Sequence, residues 1–293
     1  VMEGVMMRNA DKYAVAVRKT DGEIVVKTEE YKGIVQNKKI RSLPIIRGVF
    51  SFIDSMVLGM STLTYSASFF MDEEEEEKDE KKESVMMGLT IACSVVMAVA
   101  IFMILPYFLS QLFRKFTDST TLITLLEGAV RLVIFFGYIL LISRMKDIQR
   151  VFMYHGAEHK CINCIEHGME LNVENVLKSS RLHKRCGTSF LFIVMIVSII
   201  FFLFIRIESP IWRVVFRLLL IPVIAGVSFE FIRLAGKSEN KLVILLSKPG
   251  MMLQKLTTRE PDASMAEVAI ASVEAVFDWR AYLKENFGWQ EKV

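Results

Sequence analysis

The run from Val85 to Leu109 limits the folds open to this 293-residue chain more than any other feature: it is almost continuously apolar. It exceeds the ~20 residues that a helix needs to cross a bilayer, so it reads as a membrane span. Leu122 to Ile142, Ser189 to Ile205 and Val214 to Leu234 repeat the pattern. A hydrophobic fraction of 53% and a mean hydropathy of +0.39 agree with them and exclude an ordinary soluble domain. The stretch from Arg47 to Phe70 is different, because Ser51, Asp54, Ser55, Ser61, Thr62, Thr64, Ser66 and Ser68 dilute it. It reads as a re-entrant or interfacial helix, with Gly48 and Gly59 permitting close helix approach.

Charge sets the expected topology. Asp72 to Glu83 holds nine acids and three lysines, a net of −6, which leaves +9 on the rest of a chain whose total is +3. That block has the composition of a solvated, disordered loop. The basic excess is a topology signal rather than a nucleic-acid footprint. Arg144, Lys146, Arg150, Lys160, Lys178, Arg181, Lys184 and Arg185 place the loop 143–187 in the cytoplasm, and Lys38, Lys39, Arg41 and Arg47 ask the same of the N-terminal region. The turn around Glu208, Ser209 and Pro210 then lies outside, and Arg233 and Lys237 return the chain inside. Four full spans satisfy every flank only if 47–70 does not cross.

The expected fold is therefore mainly α: a polytopic helical membrane protein with about four spans, one re-entrant or interfacial helix and a small cytoplasmic α+β metal-bearing module. The expected division is residues 1–46 as an N-terminal β-hairpin segment and 47–142 as the re-entrant helix, acidic loop and first two spans. Residues 143–188 follow as a His/Cys-rich loop, 189–235 as the last two spans and 236–293 as a C-terminal helical region. Thr20-Asp21-Gly22-Glu23, between Tyr13–Val17 and Ile24–Val26, carries the hairpin signal. Met265 to Phe277 has the spacing of an amphipathic helix. Localisation follows as the cell membrane, multi-pass, with the metal site and both termini cytoplasmic.

All four histidines, His155, His159, His167 and His183, and three of the four cysteines, Cys161, Cys164 and Cys186, lie between positions 155 and 186. Imidazole and thiolate are the usual donors for zinc, so a divalent metal, zinc first, is the expected cofactor. No disulfides are expected. His155-Gly156-Ala157-Glu158-His159 fits H-x-x-E-H, in which two histidines one helical turn apart bind the ion and the glutamate acts as general base. Gly156 weakens the helix where that motif needs it. Cys161-x-x-Cys164 with His183-x-x-Cys186 is a competing reading, a closed structural site with no seat for a substrate.

Other polar residues have plainer explanations. His167 before Gly168 reads as a surface residue at a helix end. Glu127 and Arg131, one turn apart inside a span, read as a structural pair facing protein. Glu230 is expected to pair with Arg233 or to approach the cluster, and Glu260 to cap the last helix or enter the site. No Walker A sequence, dinucleotide fingerprint or Gly-x-Ser-x-Gly elbow occurs.

Four blocks in order, Glu3-Gly4-Val5-Met6-Met7-Arg8, Tyr154-His155-Gly156-Ala157-Glu158-His159-Lys160, His183-Lys184-Arg185-Cys186-Gly187-Thr188-Ser189 and Thr257-Thr258-Arg259-Glu260-Pro261, resemble the YqhQ-like family of bacterial membrane proteins. Its members are uncharacterised and labelled predicted metal-dependent enzymes. The resemblance implies an integral membrane protein whose candidate residues are His155, Glu158, His159, His183 and Cys186, with Cys161 and Cys164 outside the matching blocks. The lead-in Gly-Gly-Gln expected before the first block is missing ahead of Val1, which suggests N-terminal truncation. The expected function is a zinc-type hydrolase with His155 and His159 as ligands, His183 or Cys186 completing the protein set and Glu158 as general base, acting on an amide or ester of a membrane peptide or lipid. The alternative is a non-enzymatic assembly factor or transporter with a structural metal.

Overall fold

The computed structural model describes residues 1–70, 80–184, 186–205, 207, 209–236 and 240–290. Most of the acidic block, together with Arg185, Glu208 and Lys237 of the topology argument, lies outside these residues. The C-terminal end of that block, expected as loop, is helical from Glu80 onward.

Three strands, β1 (Gly4–Asn9), β2 (Lys12–Arg18) and β3 (Ile24–Glu30), form an antiparallel meander in the order β1-β2-β3. The expected hairpin joins β2 to β3, with Gly22 at φ +89°, a conformation open to glycine without strain. Strand β1 was not anticipated; it pairs from Gly4 opposite Val17 to Asn9 opposite Lys12. Successive side chains of a strand point to opposite faces, and β2 is buried on both. Tyr13, Val15 and Val17 pack with Leu58 on one side. Ala16 packs with Val5 and Met7 on the other, beneath Met265, Val268 and Ala269.

The helices are α1 (Lys38–Ser42), α2 (Ile46–Ala67), α3 (Glu80–Val99), α4 (Leu105–Gln111), α5 (Thr120–Ile142) and α6 (Lys146–Glu166). Then come α7 (Val173–Lys178), α8 (Gly187–Phe204), α9 (Pro210–Ala235), α10 (Lys241–Thr257), α11 (Ala263–Glu274) and α12 (Trp279–Phe287). A π-helical turn, Ala100–Ile104, carries α3 into α4 just ahead of Pro106, which has no N–H to give the preceding turn. Five segments are long and apolar enough to cross a membrane: Ile46–Phe70, Gly88–Lys115, Thr120–Ile142, Gly187–Phe204 and Ile211–Ala235.

The four apolar runs thus emerge as helices, and the diluted fifth is an unbroken 22-residue helix rather than one that turns back. Its buried residues, Gly48, Asp54, Leu58, Thr62 and Ser66, form one stripe. The first turns of that stripe meet α9, where Gly48 lies so close to Gly226 that a Cβ would fall 2.9 Å from the Gly226 Cα. The later turns lie on the sheet. Asp54 accepts hydrogen bonds from the Tyr31 hydroxyl (3.0 Å) and the Ile34 amide (2.9 Å), and Ser66 accepts one from the Met2 amide (2.9 Å). The sheet is therefore covered by α2 on one face and α11 on the other.

Helix α6 joins the core of this sheet module through Tyr154, Ala157, Cys161, Cys164 and Ile165. Because α6 follows α5 after a three-residue turn and α8 starts at Gly187, the other face of α6 lies where two apolar helices leave the module.

Candidate metal centre

At 100° per residue, His155, Glu158, His159, Ile162 and Glu166 share one face of α6, opposite Ala157, Cys161 and Cys164. The polar face borders a cavity of about 280 Å³ that His183, Cys186 and Gly187 complete. The ligand atoms of His155, His159 and Cys186 lie within 4.8 Å of one another. His155 Nε2 is 3.2 Å from Cys186 Sγ.

Two backbone carbonyls fix the imidazoles. His155 Nδ1 donates to the Thr257 carbonyl (2.9 Å) and His159 Nδ1 to the Arg181 carbonyl (2.7 Å). With Nδ1 of each ring donating to a carbonyl, Nε2 is the nitrogen turned toward the sulfur, and it becomes a ligand atom on giving up its proton. Burial opposes charge on Cys186, but hydrogen bonds from His155 and His159 outweigh it and bring the thiol down to about 5. The sulfur is then the thiolate that metals bind. It also caps α8, accepting from the Thr188 amide at 3.4 Å. Burial works against protonation of His155 too, yet the bond to the sulfur raises it to about 9. Burial raises the Glu158 carboxyl, against the pull of His155 and His159.

Gly156, expected to weaken the helix, is there for clearance. The segment after α10 crosses α6 with Arg259 N donating to the Phe152 carbonyl (2.9 Å), and a Cβ at Gly156 would stand 2.0 Å from the Arg259 oxygen. That crossing is what brings the Thr257 carbonyl to His155. Lys160 anchors the other side: its ammonium reaches the carbonyls of Leu177 (2.8 Å) and Ser179 (2.7 Å) and the Glu260 carboxylate (2.9 Å). Asn163 holds the same loop through the carbonyls of Ser180 and Leu182.

His155, Glu158, His159, His183 and Cys186 all border the cavity, but His183 stands apart from the three converging donors. Its Nε2 faces Glu166 (3.2 Å), its amide donates to Gln254 (2.9 Å), and its ring centre is 5.8 Å from that of His159. Cys161 and Cys164 face the apolar core instead, and the Cys164 thiol donates to the Glu170 carbonyl at 3.3 Å. Glu260 pairs with Lys160 and Arg181, while Asp262 caps α11. Glu230 pairs chiefly with Arg47 of α2, remote from the cavity, with Arg233 at 3.9 Å. His167 is exposed at the end of α6. Thr257, Arg181 and Gln254 were missed as positioning residues. Only the Thr257 block had drawn notice, and a carbonyl acceptor leaves no trace in residue type.

Fold and site together define a largely helical chain with five membrane-length apolar helices and a small sheet-bearing module that carries a His/His/Cys cluster. Over residues 43–279 the chain matches the family model described as "Protein of unknown function (DUF1385)". It is 35% identical over 297 residues to the protein described as "Uncharacterized protein YqhQ" of Bacillus subtilis (strain 168), an alignment covering 98% of this chain and 93% of that one. The chain belongs to this YqhQ-like family. No solved structure matches it.

Proposed function

We propose that the chain is a zinc-type metal-dependent hydrolase of the membrane surface, with His155, His159 and Cys186 as ligands and Glu158 as general base. The observation that carries the reading is the locking of both imidazoles through Nδ1, which aims two nitrogens and a thiolate at one point. Two imidazoles and a thiolate suit zinc, and three protein ligands leave a coordination position open for chemistry. An ion of this type would supply Lewis-acid polarisation and bring the pKa of a water down to ~7.

The rest falls to the chain's own residues. Glu158, on the face of α6 that borders the cavity, takes the proton from an attacking water and returns it to the leaving group. Arg181 and Thr257 hold the imidazoles, and the cap on α8 holds the sulfur. The substrate class that fits is an amide or ester of a membrane peptide or lipid, because the cavity opens where α8 leaves the module. In this reading four helices cross, α2 lies along the interface beneath the sheet, and the module faces the cytoplasm as its basic residues ask.

Metal content and X-ray absorption on the purified full-length protein test the proposal. One zinc with two nitrogens, one sulfur and an exchangeable oxygen is expected. Glu158→Gln should keep metal and fold while lowering turnover by ~10²-fold or more. Zinc saturated by four side chains would remove it. His183 gives that second reading its footing, since it borders the same cavity near His159 and would close the coordination sphere as a structural staple. In that case His183→Ala costs metal and Glu158→Gln is silent.

A further inference from the structure

Arg181, whose carbonyl holds His159, uses its side chain elsewhere. Its Nη1 donates to the Thr258 carbonyl (3.0 Å) and its Nε lies 3.5 Å from the Glu260 carboxylate. All three residues border a second cavity, together with Ser143, Lys255 and Arg259. Its volume is about 540 Å³, within the range of ~300–1,000 Å³ typical of ligand sites, and its wall is largely polar. Glu260 is the only carboxylate among the described residues of that wall, and it is already shared with the buried Lys160 (2.9 Å). Arg259 gives Nη2 to the Ser143 carbonyl (3.0 Å), which leaves its charge unopposed. Among the described residues no acid pairs with Arg259 or Lys255. The buried arginines of the apolar helices differ, because Arg131 and Arg217 of α9 both turn onto Glu127 (2.9 Å each). A concave wall with cations in excess concentrates anions in the space it encloses.

The position of the cavity says which anion. Ser143 follows the last residue of α5, one of the membrane-length helices, and Lys255 lies in the last turn of α10. The two helix ends pack together through Ile139, Ile142, Leu253 and Leu256. The cavity therefore lies where α5 would leave a bilayer, at the depth of lipid headgroups. Met252, Lys255 and Leu256 share a face of α10. Met252 is exposed there, as are Leu141 and Met145 beside Ser143, so apolar surface flanks the cations. Guanidinium and ammonium groups are the usual partners of phosphate oxygens, and acyl chains suit the flanking apolar side chains.

We infer that this cavity binds the phosphate of an anionic membrane lipid, with Lys255 and Arg259 at the phosphate oxygens and the acyl chains along α5 and α10. The site is separate from the metal centre, and its test reads lipid binding alone. Tritiated dioleoylphosphatidate is bound to the full-length protein in nonionic detergent, with dioleoylphosphatidylcholine, dioleoylglycerol and inorganic phosphate as competitors. Saturable binding is expected, with each of the three competing at least tenfold more weakly than unlabelled phosphatidate. Lys255→Glu, at an exposed side chain, should weaken binding at least tenfold with an unchanged melting temperature. Lys284→Glu makes the same charge change on α12 and should leave binding as it was. Equal competition by phosphatidylcholine or dioleoylglycerol would assign the binding to acyl chains, and equal competition by inorganic phosphate to a soluble phosphate. Either result, equal losses in the two lysine variants, or no saturable binding would overturn the proposal. The competitor series on the unmodified protein decides even if Lys255→Glu fails to fold.

Discussion

Lys160 is 4% exposed and spends all three of its donors on Leu177, Ser179 and Glu260. Lys160→Met strands one buried and one half-buried carbonyl, at about 1–3 kcal/mol for a buried group, while the exposed Glu260 adds little. A loss of about 3 kcal/mol is expected in chemical denaturation followed by the fluorescence of Trp279 and Trp289, which meet edge to face. Metal affinity should fall with it, because the same loop carries the Arg181 carbonyl that holds His159. Gly156→Ala sets two effects against each other. Helix propensity gains about 1 kcal/mol, but the added carbon cannot share 2.0 Å with the Arg259 oxygen. The clash wins: unchanged helical circular dichroism with at least tenfold weaker metal binding is the expected result. The sequence made Gly156 look like a flaw in the motif, since the neighbour that requires it lies about a hundred residues away.

The two faces of α6 separate the two readings of the cysteines. Cys161 and Cys164 pack against α11, so the double change Cys161→Ala and Cys164→Ala should destabilise the module yet retain its metal. Cys186→Ala should lose the metal while the module stays folded, and metal analysis of the two variants distinguishes them. The H-x-x-E-H spacing was legible because a helix converts a separation of four residues directly into a shared face. The third donor was not, because His183 and Cys186 are equally close in sequence and only the path of the chain over Gln254 turns one toward Glu166 and the other toward the imidazoles. At the contact of α2 with α9, Gly226→Leu would drive a side chain into the Ile45 carbonyl, 2.5 Å from the Cβ position. The Arg47–Glu230 pair should open with it, seen as a lowered melting temperature and faster proteolysis after Arg47.

The whole molecule is a set of apolar helices with its chemistry displaced to one end. Labelling introduced cysteines with an impermeant maleimide, each read against the Cys93→Ser protein, whose remaining cysteines are buried, tests the arrangement. Phe116→Cys and Lys184→Cys should react from opposite sides. Ser68→Cys should react from the side of Lys184→Cys if α2 lies along the interface, and from the side of Phe116→Cys if it crosses. The packing of Leu58 on β2 and the bond of Ser66 to Met2, just ahead of β1, favour the former.

Sequence alone determined the apolar helices, the hairpin at Asp21-Gly22 and the pairing of His155 with His159, because each is encoded over a few residues as a run, a turn or a period. Tertiary structure decided that Cys186 rather than His183 converges on the imidazoles, that Arg217 joins Glu127 from ninety residues away, and that α2 covers a sheet. Those outcomes depend on which distant surfaces meet, and a one-dimensional pattern of polar and apolar residues does not carry that choice.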